Sequence, residues 1–108
     1  MQRLAETLSR LAATIDARRG ADPASSYTAK LLAGGPALAA KKFGEEAVET
    51  VIAATTGDAD ALAAESADLL YHWLVLLAAS GVSPDAVAAK LEAREGRSGL
   101  DEKAARKP

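Results

Sequence analysis

Two acidic signatures, Glu45-Glu46-x-x-Glu49 and Glu65-x-x-Asp68, stand 15 residues apart in a chain of 108. On a helix, a spacing of three places Glu46 and Glu49 on one face, and likewise Glu65 and Asp68. Gly57 lies between the two signatures and marks a short turn, which makes the flanking helices antiparallel neighbours. Glu46 and Asp68 are equally far from that glycine, and so are Glu49 and Glu65. Each pair therefore reaches the same height along the hairpin, and four carboxylates converge. Left bare, such a group raises its own pKa values by like-charge repulsion. Hard oxygen ligands at this density suit Mg²⁺ or Mn²⁺, with positions left open for water and phosphate. A single Glu-x-x-Glu is more often a solvated helix face; the matching of two pairs across a turn, amid apolar neighbours, is what lifts this one above that reading.

The surrounding charge agrees. Between Phe43 and Ala89 there are eight acids and no Lys or Arg, whereas the flanks hold all 13 basic residues against seven acids. A segment of −8 cannot grip a nucleic-acid backbone, which needs Lys and Arg, but it invites a cation. Lys42 lies one turn before Glu46 with Lys41 beside it, and Lys30 follows a serine-bearing turn. Each is placed either to meet a phosphate oxygen or to form a surface ion pair worth under ~1 kcal/mol. His72, the only histidine, follows Asp68 by one turn and either touches a substrate or is a satisfied core residue. The residue three before it is Leu69, so the Glu-x-x-His pattern of carboxylate-bridged di-iron bundles is missing. Tyr71 and Trp73 read as packing residues. No Gly-x-x-x-x-Gly-Lys loop occurs, and the lack of cysteine excludes thiolate metal sites and disulfides.

The elements that must carry these groups are helices. Of 53 hydrophobic residues 27 are Ala and 14 Leu, while Val, Ile and aromatics number five, two and four. Good helix formers thus abound and strand formers are scarce, so the expected class is all-α. Leu4, Leu8, Leu11 and Ile15 form one stripe of a first helix ending near Gly20. Ser25 or Ser26 can cap a short helix over Tyr27 to Leu32. Gly34-Gly35-Pro36 breaks the chain before the central hairpin, expected over about 36–56 and 59–80, with Asp58 capping its second helix. Ser83-Pro84-Asp85 opens a last helix with Val87 and Leu91 on its buried side. Residues 1–96 read as one domain and 97–108 as a flexible tail. From Leu69 to Ala79 the hairpin's second helix is apolar on every side but for His72. A helix apolar all round must be covered all round, which one small chain cannot easily do, so a homodimer or higher homo-oligomer is expected. That run is 11 residues long, against the roughly 20 of a membrane span. No signal peptide is visible in Met1 to Arg10, and the expected setting is cytoplasmic, with no membrane and no nucleic acid as partner.

Taken together, the two acidic signatures resemble those of the all-α nucleoside triphosphate pyrophosphohydrolases, the MazG-type superfamily. Ser26-Tyr27-Thr28-Ala29-Lys30-Leu31, Lys42-Phe43-Gly44-Glu45-Glu46 and Ala67-Asp68-Leu69-Leu70-Tyr71-His72 are similar to the phosphoribosyl-ATP pyrophosphatases of histidine biosynthesis. The likeness spans roughly Leu4 to Arg94. It implies Mg²⁺-dependent hydrolysis of 1-(5-phosphoribosyl)-ATP to 1-(5-phosphoribosyl)-AMP and pyrophosphate. It also implies metal ligation by Glu46, Glu49, Glu65 and Asp68, handling of water by Glu45, and substrate contacts from Lys42, Lys30, Tyr27, Ser26 and His72. Two other readings are a house-cleaning pyrophosphohydrolase of noncanonical nucleotides and a non-catalytic helical dimerisation module.

Overall fold

Five helices follow one another along the chain, and most begin where a side chain or a proline can satisfy or spare their free N–H groups. A computed structural model describes residues 1–96; the tail expected over 97–108 lies outside the described residues. Helix α1 covers Gln2–Ala17, α2 Tyr27–Ala33, α3 Gly35–Thr55, α4 Ala59–Ala79 and α5 Pro84–Ala93. No strand occurs among the described residues, and the all-α class holds. Ser26 rather than Ser25 caps α2, its hydroxyl accepting the Ala29 N–H at 3.1 Å. Asp58 caps α4 by accepting the Ala61 N–H at 3.0 Å, and Ser83 caps α5.

Glycine sets the two sharp breaks. Between α2 and α3 the chain turns through Gly35, whose φ of +77° strains any residue with a Cβ, and a side chain at Gly34 would run into Leu38. Pro36 then sits in the first turn of α3, where its missing N–H costs nothing. At the tip of the hairpin Gly57 takes φ +75°, the left-handed conformation that ends helices. Asp58 follows at once, so α3 and α4 are joined by a tight antiparallel turn and make the most extensive helix contact among the described residues.

The core lies at the end of the hairpin away from Gly57. Ile15 of α1, Leu31 of α2, Ala39 of α3 and Leu74 and Val75 of α4 are buried together. Leu8, Leu11, Leu38, Tyr71, Trp73 and Leu76 pack around them. Each fully buried aliphatic side chain stabilises the fold by roughly 1.5–3 kcal/mol. The end of α1 is tied to the end of α4 by Arg19, which donates to the Ala78 carbonyl at 2.7 Å and pairs with Asp16 at 2.7 Å. Helix α5 departs from expectation. Val87 is half-buried, but Leu91 is 57% exposed and α5 has no buried residue. Its ten residues dock too lightly to bury a second turn.

Helix α4 is long and apolar enough, by length and composition, to cross a membrane. Averaging over its alanines admits it, although the uninterrupted apolar run is short. It carries Glu65, Asp68 and His72, and packs against α1, α2 and α3. It is the central helix of the bundle.

Candidate active site

The stripe of α3 that faces α4 contains Ala39, Glu46, Thr50 and Ala53; the two alanines are buried and the other two half-buried. Small side chains let the helix axes approach, and at that approach Glu46 meets Glu65 and Asp68 of α4. One carboxylate oxygen from each of the three lies within 4.8 Å of the others. Glu46 and Glu65 are half-buried and Asp68 is exposed. The ion pairs among the described residues are Arg19–Asp16 and Lys42–Glu45, and neither touches this group.

Among the described residues the charge is consequently uncompensated. The Glu65 carboxyl is pushed above its ordinary value of 4.5 by partial burial first, then by a hydrogen bond with Glu46 and by repulsion from Glu46 and Asp68. A divalent cation would relieve that repulsion, so the donor set fits a hard metal ion. Across the helix contact, the Thr50 hydroxyl lies 2.8 Å from the Glu46 carbonyl and 3.2 Å from the Glu65 carbonyl. Nothing in the spacing of acids draws attention to this threonine; its signal is its place one turn after Glu46 on the contact stripe.

The remaining predicted residues distribute around this centre. Glu49 is exposed and stands outside the group of three. It flanks the contact stripe, because three residues advance a helix by about 300° and carry it some 60° from Glu46. Glu45 is exposed as well, and its carboxylate takes the Lys42 ammonium at 3.4 Å. Lys30 is exposed in the last turn of α2, and Lys41 is exposed on α3.

A second layer continues from Asp68 along α4. His72 is 7% exposed, and its Nδ1 lies 2.8 Å from the Asp68 carbonyl. A carbonyl only accepts, so Nδ1 carries the proton and Nε2 is the acceptor in the neutral ring. The ring meets Tyr71 edge-on at 4.9 Å and Tyr27 edge-on at 6.2 Å. Tyr27 stacks on Tyr71 with centroids 6.5 Å apart and is 53% exposed. The hydroxyls of Thr28 and Tyr71 bond to one another, fixing α2 against α4. Of the Ser26–Lys30 turn, Ser26 spends its hydroxyl on the helix cap, while Tyr27 and Lys30 present side chains outward.

Comparison with known proteins finds relatives over nearly the whole chain. The sequence pattern of a family described as phosphoribosyl-ATP pyrophosphohydrolase matches residues 8–95. The phosphoribosyl-ATP pyrophosphatase of Caulobacter vibrioides is 75% identical over 105 residues, 97% of each chain. That of Parvibaculum lavamentivorans is 66% identical over 102 residues, 94% of each chain. That of Methylobacterium radiotolerans is 62% identical over 104 residues, covering 96% of this chain and 97% of its own.

Proposed function

The chain belongs to the phosphoribosyl-ATP pyrophosphohydrolase family, and from that membership we propose that it hydrolyses 1-(5-phosphoribosyl)-ATP to 1-(5-phosphoribosyl)-AMP and pyrophosphate, the second step of L-histidine biosynthesis. The observation that carries the reading is the convergence of Glu46, Glu65 and Asp68 with no basic side chain among the described residues paired to them. In the reaction a water oxygen bonds to phosphorus at the α–β anhydride, the bond to the bridging oxygen breaks, and the water's proton passes to a base. Holding a triphosphate demands that its charge be neutralised and its anhydride be set in line with the water.

Glu46, Glu65 and Asp68, joined by Glu49 from the next turn of α3, hold Mg²⁺ in this reading; Mn²⁺ suits the same oxygens. When bound, the cation supplies positive charge to the phosphate oxygens. Glu45 orients the water and takes its proton, exchanging its contact with Lys42 for one with the substrate side. Lys42, once released, meets a phosphate, and Lys30 meets another from α2. Ser26, Tyr27 and His72 line the substrate on the α2 side, where the outward face of Tyr27 is free to meet a ring or sugar. Residues 1–96 constitute the catalytic domain. Val48, Val51 and Ile52 are 58%, 61% and 49% exposed on one side of α3, and in this reading a second copy of the chain covers them, forming a homodimer that works in the cytoplasm.

Pyrophosphate release tests the proposal. Purified protein with phosphoribosyl-ATP and Mg²⁺ releases pyrophosphate, and EDTA stops it. Faster turnover of any deoxynucleoside triphosphate than of phosphoribosyl-ATP overturns the substrate assignment. Turnover that persists in excess EDTA overturns the role given to the carboxylates.

A further inference from the structure

Of the three clustered carboxylates, two are fixed relative to one another by their own helix. Glu65 and Asp68 are three residues apart on α4, and no motion between helices changes their spacing. Glu46 comes from α3. Sliding or rotating α3 against α4 therefore moves Glu46 toward or away from the other two, and this is the one coordinate the hairpin must control to keep the set together.

We propose that Thr50 is a positioning residue whose hydroxyl, bonded to the backbone carbonyls of both Glu46 and Glu65, sets the register of the two helices at the carboxylate group. The proposal rests on the metal-binding reading of that group given above. The threonine Oγ1 carries a single proton, shared between the Glu46 carbonyl at 2.8 Å and the Glu65 carbonyl at 3.2 Å. It thus ties the backbone of one carboxylate-bearing residue directly to that of another. Among the described residues it is the only side chain of α3 hydrogen-bonded to the backbone of α4. Bonding to the carbonyl one turn earlier is by itself ordinary for a helical threonine, since Thr7 and Thr14 do the same on the exposed face of α1. Thr50 differs in reaching a second helix.

Local preference argues the same way. Alanine is the better helix former, and a β-branched residue bonding backward disfavours a straight helix. The next turn of the same stripe uses Ala53, which is buried against α4. A hydroxyl at position 50, half-buried on a stripe whose other members are Ala39, Glu46 and Ala53, gains its place from the bond it makes. A group that orients metal ligands without touching the metal shows itself in metal affinity.

The test is titration of metal-free full-length protein with Mn²⁺, following the free ion by electron paramagnetic resonance, for wild type, Thr50→Val and Thr50→Ser. Val keeps the shape and loses the hydroxyl; Ser keeps the hydroxyl and loses the methyl. Thr50→Val should raise the Mn²⁺ Kd about 3- to 10-fold, the upper figure corresponding to ~1.4 kcal/mol. Thr50→Ser should stay within about twofold of wild type. A Val variant that binds as wild type does overturns the positioning role and leaves the metal reading intact. A Ser variant as weak as Val also overturns it, since the methyl would then be what matters. Wild-type protein with no saturable Mn²⁺ binding overturns the metal reading, and the inference with it. Helical circular dichroism is recorded for each variant; should Val lose it, Thr50→Ala carries the same comparison with Ser, and an Ala variant matching wild type sinks the idea.

Discussion

The two ends of the α3–α4 hairpin are built for different purposes. At the far end, α1 and α2 close over Leu74 and Val75, and the buried core of Ile15, Leu31 and Ala39 collects there. Toward Gly57, among the described residues, the two helices have only each other; Ala53 is the one buried residue of that half of α3, and the exposed side chains include Val48, Val51, Ile52 and Leu62. The carboxylates sit between these regimes, at the level where apolar cover gives out. Burial there is enough to push Glu65 toward its neutral form, yet Asp68 remains open to solvent. The difference separates stability from chemistry along one pair of helices, so substitutions at the two ends should fail in different ways.

The largest effect is expected at the acidic level. Asp68→Asn and Glu65→Gln should each lower turnover of phosphoribosyl-ATP by more than about 100-fold, while helical circular dichroism survives. Glu49→Gln asks whether the residue outside the group of three joins it during the reaction, and a loss of more than about tenfold is expected. Any of these variants that keeps over a tenth of the wild-type rate removes its residue from the metal set. The far end should behave in the opposite sense. Leu74→Ala leaves a cavity under α1 and should destabilise the fold by about 2–5 kcal/mol, read as a lower midpoint in urea. Below that midpoint its turnover per folded molecule should stay within a few-fold of wild type. A Leu74→Ala protein that is stable but inactive would break the division between the two ends.

Much of this division is legible in the sequence because it depends on short-range rules. Ser26, Asp58 and Ser83 cap helices, Gly57 closes the hairpin, and 3.6-residue periodicity orients each face. Counting outward from Gly57 puts Glu46 level with Asp68, and the spacing of three on α4 brings Glu65 to the same face. Counting leaves Glu49 outside the group of three, because equal height does not imply equal direction: the contact stripe runs through Glu46, Thr50 and Ala53, and Glu49 lies to its side. Leu91 escapes the same rules, since periodicity shows which face of α5 is apolar and not how closely α1 and α4 approach it. The Thr50 bridge depends on an interhelical distance, which no pattern of residue types contains. Spacing alone leaves His72 between two readings, because its burial, with Nδ1 held by the Asp68 carbonyl, comes from packing by Tyr27 and Tyr71 from two different helices.

A smaller effect probes the exposed apolar side of α3. If a second copy covers Val48, Val51 and Ile52, then Val51→Asp places a charge in that contact and should weaken self-association by at least about tenfold, or ~1.4 kcal/mol. Sedimentation over a concentration series measures it. An unchanged mass at every concentration means that this side is not the contact.

The smallest effect bears on Glu65 itself and distinguishes a strained, metal-ready group from an ordinary acidic surface. Its carboxyl binds a proton more tightly in the fold than in the unfolded chain, because its pKa is raised above the ordinary 4.5. Between the ordinary and the raised value the folded state therefore holds more protons, and stability must fall as pH rises through that window. The contribution is fully present below the ordinary value and is gone once pH has passed the raised one. Metal-free wild type should accordingly lose thermal stability over this window relative to Glu65→Gln, which has no proton to lose. Saturating Mg²⁺ should reverse the order above the window, since the cation stabilises the ionised cluster and the Gln variant offers it one oxygen ligand of lower charge. Parallel melting curves for the two proteins across the window without metal would mean that Glu65 feels neither Glu46 nor Asp68, and the chemical end of the hairpin would then be no more than a solvated acidic face.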